Sequence, residues 1–507
     1  MAARILLVYP PSRSQSHGSC PAALTMLGAV LESAGYEVHL LDANAALHRQ
    51  TRTQIVERAK ELRPDVIGVT LVTPLVREAY RLAADLKPLG AKLLAGGPHA
   101  TILPREPIQH GFDATVVGEG EPTIVEAVRA LMGEIPKESV DGWVYRDDDG
   151  SIHATRPRPP IANLDALEKP ARHLIDPADY GDPSGEMHMN LFSSRGCPAK
   201  CSYCAGGLFG RRFRFRSGAC MVQEMIEVHQ RYGTKHFHFM DDAMTVHRQR
   251  VLDICDGVEK SGLGLTWSIM TRIDRMDEEL LRALRRGGCT QIDYGIESGD
   301  PETLKRIHKP HTIPMVKRVI PMTHAAGIKP YVFFILGFPW DTVESIDRTQ
   351  ALMRDLAPYV ACFHPAIASV LIPFPDTEIY EKHKDRFGFS EWWLDDARTY
   401  DAPDRRRHAF FETEAFPRGA VLDANFFHYS PDVRRKIIDV FEFMWRHNLR
   451  ASGRSVDGLV RPVLFDVSRR LHDVSPALER RFFDGLDSVR RRVKTLAARR
   501  PTGTAAA

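Results

Sequence analysis

Short apolar runs alternate with longer amphipathic stretches between residues 3 and 133. The amphipathic stretches carry apolar residues at helical spacing, as in PAALTMLGAVLESAG and LVREAYRLAADLKPLG. The apolar runs have the length and composition of strands buried on both faces: ARILLVY, YEVHLLDA, DVIGVTLV, AKLLAGG and FDATVVG. Strands that alternate with helices in this way form a parallel sheet with helices on both faces. We therefore predict an α/β chain that begins with a flavodoxin-like (Rossmann-type) domain over residues 1–140.

The carboxyl ends of these strands carry small residues, hydroxyl groups and turn formers, in YPPS, TLVTP, GGPHAT and GEGEPT. Ligands bind beyond this edge in open parallel sheets, and glycine lets a large ligand lie close to the backbone. No G-x-G-x-x-G pattern follows the first strand, so an ordinary dinucleotide site is not expected. The first domain is thus predicted to bind a large ligand of another kind.

A second alternation of strands and helices is predicted over residues 187–375, with six apolar runs. Six such repeats favour a partial (β/α)6 barrel, whose chemistry lies at the carboxyl ends of its strands. Residues 141–186 are predicted to form a hairpin that turns at Asp-Gly and then a proline-rich linker. Residues 376–507 are predicted to be a mainly helical region near the substrate, with a disordered tail.

Three of the eight cysteines lie within eight residues, in SSRGCPAKCSYCAGG, where the first barrel strand ends. Thiolates are soft ligands that suit iron–sulfur clusters, and three of them leave one iron of a four-iron cluster open. The start MAARILLVYPP is too short and too soon broken by proline for a signal peptide, so we expect a reducing cytoplasm. The alternatives are a zinc knuckle that lacks one ligand and three unrelated thiols.

The pattern Cys197-x3-Cys201-x-Tyr203-Cys204 resembles the signature of radical S-adenosylmethionine (SAM) enzymes. The resemblance implies that the three cysteines are catalytic and bind a [4Fe-4S] cluster, with Tyr203 beside the cofactors. In that family the open iron binds the methionine moiety of SAM, and one electron cleaves SAM to a 5′-deoxyadenosyl radical. An electron donor such as flavodoxin or ferredoxin is implied as a partner.

Polar residues end the next three predicted barrel strands, in FHFMDDAM, WSIMTRID and DYGIESGD. In related enzymes these strand ends bind the amino group, the carboxylate and the ribose of SAM. A simpler interpretation of Arg272 is a surface ion pair with Asp274. The resemblance therefore implies that Asp241 and Asp242 bind the amino group of SAM, that Ser268 and Arg272 bind its carboxylate, and that Glu297 binds its ribose.

A flavodoxin-like sheet in front of this barrel resembles the cobalamin-binding (class B) radical SAM enzymes, over about residues 3 to 375. The Asp-x-His-x-x-Gly element that supplies an axial histidine in other cobalamin proteins is absent, so cobalt is expected without a histidine from this domain. Two alternatives remain: His99 only forms hydrogen bonds within its loop, or the sheet merely packs on the barrel. The residues that the resemblance implies at the cobalamin site are Thr70, Thr73, Gly96, Gly97, His99, Gly118, Glu119 and Gly120.

The resemblance implies a cobalamin-dependent enzyme that methylates an unactivated carbon of a small molecule or lipid. One alternative is a cyclase or rearrangement enzyme that transfers no methyl group. A further alternative, a methylthiotransferase, needs three more cysteines in the first domain, where only Cys20 occurs. The sequence does not identify the substrate.

The remaining charged and aromatic segments support no separate function. The formal net charge of +3 creates no strong field for nucleic acid. In FGRRFRFRSGA, we expect Ser217 to cap the next helix and the arginines to order the cysteine loop, rather than to bind nucleic acid. The basic run from Arg490 to Arg500 is either a solvated helix end or a contact with anionic lipid. Trp392, Trp393 and Tyr400 line an apolar pocket or belong to the core.

Overall fold

The computed structural model describes residues 3–12, 17–180, 188–206, 208–364, 370–395 and 424–451, together with residues 467 and 481. The N-terminal domain is a sheet in the order β2-β1-β3-β4-β5-β6-β7 with helices on both faces. Its strands are β1 Arg4–Tyr9, β2 Glu37–Asp42, β3 Val66–Thr70, β4 Lys92–Gly96, β5 Ala114–Val116, β6 Trp143–Arg146 and β7 Ile152–Ala154. Its helices are α1 Ala22–Ser33, α2 Arg52–Leu62, α3 Val76–Leu86, α4 Pro98–Ile102, α5 Glu106–Gln109 and α6 Glu121–Leu131.

Both faces of β1, β3, β4 and β5 are buried, as the continuous apolar runs predict, whereas the edge strand β2 alternates buried residues with exposed or partly exposed ones. In β1, Leu6 and Val8 pack into one hydrophobic cluster, whereas Ile5 and Leu7 pack into a second cluster on the opposite face. All neighbouring pairs among β1 to β5 are parallel. The predicted flavodoxin-like sheet is therefore confirmed.

The predicted hairpin extends this sheet as β6 and β7, which pair antiparallel to each other and to β5. Gly150 has φ +87° at the turn, a conformation that glycine adopts without strain. The linker then crosses to the second domain. Its Arg172 is buried and forms an ion pair of 2.5 Å with Glu224 of the barrel.

The second domain contains a six-stranded parallel sheet in the order β15-β14-β13-β12-β11-β8, as expected for a partial barrel. Its main strands are β8 His188–Leu191, β11 His236–Phe239, β12 Thr266–Thr271, β13 Cys289–Glu297, β14 Lys329–Phe334 and β15 Cys362–Phe363, and a separate ladder joins β9 Ser194–Arg195 to β10 Arg214–Phe215. Its helices are α7 Gly218–Tyr232, α8 Arg248–Ser261, α9 Glu278–Arg286, α10 Pro301–Arg306, α11 Ile313–Ala325 and α12 Val343–Leu356. Within the described residues, the sixth strand β15 comprises Cys362–Phe363, and residues 365–369 of its apolar run lie outside the described residues.

The barrel strands have one apolar face and one mixed face. Alternate residues such as Phe239, Ile269 and Tyr294 are fully buried in the cluster that includes the surrounding helices. Their neighbours His238 and Ser268 point to the opposite, inner face and remain partly exposed. The inner face is thus available to cofactors and substrate.

The described part of the C-terminal region is helical, with α13 Glu378–Phe387 and α14 Pro431–Ala451. Helix α14 closes the barrel beside β15, because Asn448 exchanges two hydrogen bonds with the backbone of Phe363. Trp392 and Trp393 are buried core residues, whereas Tyr400 lies outside the described residues. Within the described ranges, no helix is both long and apolar enough to cross a membrane.

Candidate functional site

The three clustered cysteines lie in a loop whose two ends are held together. Arg195 of β9 pairs antiparallel with Arg214 of β10, so residues 196–213 form a closed loop. We call these residues the cluster loop. Gly196 has φ +81°, and a Cβ atom there would lie 2.5 Å from the carbonyl oxygen of Arg212. The neck of the loop is therefore too narrow for any residue except glycine.

The thiols of this loop are free and accessible. Cys197 and Cys201 are partly exposed, and Cys204 is exposed. A Cβ atom at Gly206 would lie 3.3 Å from Sγ of Cys204, so glycine keeps the space beside this sulfur open. The loop thus presents three soft ligands and no fourth protein ligand within the described residues, which fits a [4Fe-4S] cluster with one open iron.

The other five cysteines occupy structural positions, as their sequence contexts predict. Cys20, Cys255 and Cys289 are buried, while Cys220 and Cys362 lie in α7 and β15. Because Cys20 is the single cysteine of the first domain, that domain cannot supply the three ligands of an auxiliary cluster. This composition does not support a methylthiotransferase.

The two adjacent aspartates after β11 have different environments, and their binding to SAM stays a prediction. Asp241 is fully buried, accepts hydrogen bonds from the backbone N–H groups of Ser193 and Ser194, and pairs with Arg250 at 3.3 Å. Asp242 instead lines the cavity between the domains. Desolvation by burial raises the pKa of the Asp242 carboxyl group, and the negative charge of the neighbouring Asp241 adds to this rise. Asp242 remains the candidate for the amino group of SAM.

Arg272 and Ser268 lie on the same side of the barrel as the cluster loop. Burial raises the pKa of the Cys197 thiol, the Asp242 carboxylate adds to the rise, and the Arg272 guanidinium opposes it. Arg272 forms the anticipated ion pair with Asp274 through two hydrogen bonds of 2.8 and 2.9 Å. Ser268 Oγ lies 2.6 Å from Nδ1 of His238. Both residues remain proposed ligands of the SAM carboxylate.

Glu297 is joined to the cluster loop by a tyrosine and a lysine. Tyr203 donates a hydrogen bond of 2.8 Å to Oε1 of Glu297, and Nζ of Lys309 lies 3.0 Å from the same oxygen. Burial alone would lower the pKa of Lys309, but the Glu297 carboxylate raises it, so the lysine is a cation. Both partners use Oε1, so Oε2 is the oxygen that we propose for contact with the ribose of SAM.

Replacing Lys309 with methionine should weaken SAM binding without loss of iron. The buried Glu297 would lose the cation that compensates and positions its carboxylate, so the carboxylate would be less well placed to accept bonds from sugar hydroxyls. We expect a roughly tenfold rise in the Kd for SAM, measured by equilibrium dialysis with reconstituted protein. Glu297→Gln should give a similar loss, and the double variant should add little, because the two residues act as a unit. Unchanged SAM affinity in K309M would contradict this role.

A cavity of about 320 Å³ lies between the N-terminal sheet and the barrel. Its walls are mainly apolar, and the sheet, α1 and α6 supply most of them. The barrel contributes Phe192, Met240 and Asp242, so the cavity reaches the side of the barrel where SAM is expected. Six residues predicted at the cobalamin site line it: Thr70, Gly96, Gly97, Gly118, Glu119 and Gly120.

The glycines that line this cavity have different structural roles. A Cβ atom at Gly96 or Gly118 would meet no atom within 4 Å, so both positions leave open space beside the cavity. At Gly97, which has φ +95°, a Cβ atom would lie 2.7 Å from Oγ1 of Thr70 and 2.9 Å from the carbonyl oxygen of Leu71. Gly97 thus shapes the turn after β4, whereas Gly96 and Gly118 form the cradle for a ligand.

Thr73 and His99 are not among the residues that line this cavity, and their contact with a cofactor stays a prediction. His99 is fully buried, with Nδ1 3.1 Å from Oγ1 of Thr73 and Nε2 3.0 Å from Glu106. Trp393 packs edge-on against the imidazole ring and donates to Glu106 at 3.1 Å. The interpretation of His99 as a hydrogen-bonding residue is correct, and its partners tie the C-terminal region to the sheet.

The arginines near the cluster loop have local roles, as expected. The Ser217 side chain caps α7 by accepting a hydrogen bond of 3.2 Å from the N–H of Cys220. Arg214 donates to Glu119 and to the carbonyl oxygen of Phe209. Arg195 pairs with Glu121, a contact that the sequence did not predict. These contacts of Arg195 and Arg214 are with protein groups, whereas Arg211 and Arg212 of the same segment are exposed.

Comparisons with known proteins assign both domains. The model of the B12 binding domain matches residues 19–128, and that of the radical SAM superfamily matches residues 191–353. The uncharacterized methyltransferase PH0819 of Pyrococcus horikoshii is 30% identical over 388 residues, which cover 75% of this chain and 82% of that protein. The anaerobic magnesium-protoporphyrin IX monomethyl ester cyclase of Rubrivivax gelatinosus is 27% identical over 437 residues, which cover 83% of this chain and 75% of the cyclase.

A solved structure has the same fold. The radical SAM methyltransferase TsrM from Kitasatospora setae, with cobalamin and a [4Fe-4S] cluster bound, aligns with a TM-score of 0.62 and 20% identity. The alignment covers 76% of this chain and 79% of that chain. Each domain match falls inside the corresponding predicted domain, and the cofactors that the two domains imply are cobalamin, a [4Fe-4S] cluster and SAM. The chain belongs to the family of cobalamin-binding radical SAM enzymes.

Proposed function

We propose that this enzyme methylates an unactivated carbon of a small molecule, with SAM as the methyl source and cobalamin as the carrier. The observation that carries the proposal is a cavity that residues of both domains line. Its lining includes Gly96 and Gly118 of the cobalamin-binding domain and Asp242 of the SAM-binding barrel. Both cofactors can therefore act on one substrate.

When bound, the cluster, SAM and cobalamin supply the radical and methyl-transfer chemistry, and the protein supplies alignment and exclusion of water. Apolar side chains such as Leu7, Leu24 and Leu94 line the cavity and keep water away from it. Their surface also suits the aromatic base of a cobalamin nucleotide tail. In the described residues, no histidine lines this cavity, consistent with cobalt that takes no histidine from this domain.

The inner face of the barrel supports a polar substrate over a lipid. His238 and Ser268 form a hydrogen-bonded pair on this face, and Gln291 donates a bond of 2.8 Å to Asp293. Oδ2 of Asp293 also lies 3.8 Å from Nε2 of His364, the residue that follows β15. These groups form a band of donors and acceptors across the strands. A substrate with several hydrogen-bonding groups could use the remaining donors and acceptors of this band, whereas an apolar chain would be a poor match for a polar surface.

We expect Asp293→Asn to raise the KM for the polar substrate severalfold while the uncoupled cleavage of SAM continues. The described side-chain contacts of Asp293 are with Gln291 and His364 rather than with the cluster loop or Glu297, so we expect the cluster and the SAM site to stay intact. The measurement is methyl transfer as a function of substrate concentration, with 5′-deoxyadenosine quantified in parallel. An unchanged KM would remove Asp293 from the proposed substrate surface.

Two further partners complete the proposal. A small reduced flavodoxin or ferredoxin would donate the electron, and the exposed Cys204 offers a short path from the surface to the cluster. The basic run from Arg490 to Arg500 lies outside the described residues, and its contact with anionic lipid stays a prediction. The cluster chemistry also favours work in the reducing cytoplasm.

The direct test of this function follows a labelled methyl group. The reconstituted enzyme is incubated without oxygen with a reductant, hydroxocobalamin, a polar metabolite extract and SAM that carries a deuterated methyl group. A product that gains the labelled methyl supports the proposal, and the triple cysteine variant is the negative control. A product that forms without label would instead support a cyclase or rearrangement enzyme, an alternative favoured by the similarity to the Rubrivivax cyclase.

A further inference from the structure

Four buried charged side chains connect the wall of the cavity to the two ends of the cluster loop. Arg214 binds Glu119 through two hydrogen bonds of 2.6 and 3.0 Å. Arg195 binds Glu121 in the same two-pronged manner and lies 3.6 Å from Glu119. Each of the four side chains is no more than 11% exposed. The group carries two positive and two negative charges, so its net charge is zero.

The two arginines stand at the neck of the cluster loop. Arg195 and Arg214 face each other in the ladder of β9 and β10, and Cys197 follows Arg195 by two residues. Arg214 also donates to the carbonyl oxygen of Phe209 at 2.9 Å, a residue inside the loop that lines the cavity. A shift of either guanidinium therefore moves the backbone that presents the cysteines.

The two glutamates stand at the opposite side, in the segment Gly118–Glu121 that lines the cavity. A ligand that fills the cradle at Gly118 sets the position of this segment. The N–H of Ile161, which is in the linker, also donates to Glu119 at 2.7 Å. Burial alone would raise the pKa of Glu119, but the hydrogen bonds from Arg214 and Ile161 hold this pKa below its usual range. Glu119 is thus an ionised, fully bonded link between the domains.

Buried two-pronged arginine–carboxylate pairs are geometrically demanding, and removal of one partner leaves an uncompensated charge. Movement of the cavity wall is therefore transmitted to the cluster loop rather than absorbed by solvent. We propose that Glu119 and Glu121, held by Arg214 and Arg195, are positioning residues that couple corrinoid binding in the cavity to the arrangement of the cluster loop. By linkage, an assembled cluster tightens corrinoid binding, and bound corrinoid stabilises the cluster loop to the same extent.

The coupling is measured as a ratio of two dissociation constants. Hydroxocobalamin is titrated by absorbance into the anaerobically reconstituted protein and into the same protein after its cluster has been removed by chelation. For the wild type, we expect the cluster to tighten binding by about fivefold or more. Equal dissociation constants for the two forms would overturn the proposal. Neither substrate nor methyl transfer is needed, so the result is independent of the proposed function.

Arg214→Gln is the informative variant, because Arg214 does not itself line the cavity. We expect the ratio to fall to about one, whereas Arg214→Lys should retain part of it, since lysine keeps the charge but not the two-pronged geometry. Glu224→Gln is the matched control: Glu224 is equally buried between Arg172 and Arg216 but lies outside the cavity. Glu224→Gln should keep the wild-type ratio of the two dissociation constants, even if it lowers the stability of the fold.

A second readout applies if the cluster-free protein or R214Q does not remain folded. In the reconstituted wild type, hydroxocobalamin should alter the electron paramagnetic resonance spectrum of the reduced cluster, and in R214K this change should be smaller. A spectrum that is insensitive to hydroxocobalamin, or an R214Q or R214K variant that responds as the wild type does, would count against the coupling.

Discussion

Replacing Cys197, Cys201 and Cys204 with alanine should abolish both iron binding and the cleavage of SAM. These thiols are the accessible sulfur ligands of the cluster loop, and the described residues around them offer no substitute. We expect iron to fall from about four atoms per chain to background. The measurements are iron analysis after anaerobic reconstitution and quantification of 5′-deoxyadenosine. A triple variant that retained its cluster would contradict the assignment of the site.

Alanine at Cys220 or Cys362 provides the matched control for this experiment. Both thiols are partly exposed, as are Cys197 and Cys201, but they lie in α7 and β15 rather than in the cluster loop. Their single replacement should leave the iron content unchanged. Loss of iron in these variants would mean that the triple variant reports unfolding instead of ligand removal.

Valine at Gly96 or Gly118 should release the corrinoid and leave the iron content intact. A side chain at either position enters open space beside the cavity, where it would occupy the volume of the ligand. Gly96 is the cleaner site, because it ends β4 without a positive φ, and a β-branched residue suits a strand. Methyl transfer should cease, while cleavage of SAM continues at a reduced rate. Gly97→Val is less informative, because its side chain would collide with Thr70.

Gly133→Val separates the effect on the ligand from the effect on the backbone. Gly133 has φ +77° with no atom near its Cβ position, whereas Gly118 has φ +81° and the same free space. The two substitutions therefore impose similar backbone strain, but Gly133 lies outside the cavity lining. G133V should bind hydroxocobalamin as the wild type does. If G118V and G133V lost corrinoid equally, strain rather than occupation of the cavity would be the cause.

The strands could be predicted because the local run of apolar residues indicates which strands are buried. The runs around β1 and β3 are apolar at consecutive positions, since both faces of the N-terminal sheet are covered. The hairpin of β6 and β7 followed from Asp-Gly at its turn. The cysteines were recognisable because one short loop carries all three ligands. Each of these signals lies within a few residues of sequence.

Contacts between distant segments carried no such signal. Lys309 reaches Glu297 because the chain returns past the end of β13, and Arg195 meets Glu121 across the interface between the domains. The inward direction of His99 depends on the turn at Gly97, which the motif GGPHAT does not reveal. None of these pairings has a periodic pattern that the sequence displays.

The different positions of Asp241 and Asp242 follow from a pattern that the sequence does display, the alternation of residues along a strand. Successive residues of a strand point to opposite faces. Although β11 ends at Phe239, the alternation continues: Phe239 and Asp241 are buried, whereas Met240 and Asp242 line the cavity. Alternation alone would therefore have assigned Asp242, and not Asp241, to the cofactor side.

The two domains together require that one chain holds both a [4Fe-4S] cluster and cobalamin. This is measured as the iron and corrinoid content of protein reconstituted without oxygen in the presence of hydroxocobalamin and then freed of unbound cofactor. We expect about four irons and one corrinoid per chain, with a reduced-cluster resonance that SAM perturbs. Protein that binds iron but takes up no hydroxocobalamin would contradict this expectation, and the enzyme would then be a radical SAM enzyme whose sheet domain has lost its ligand.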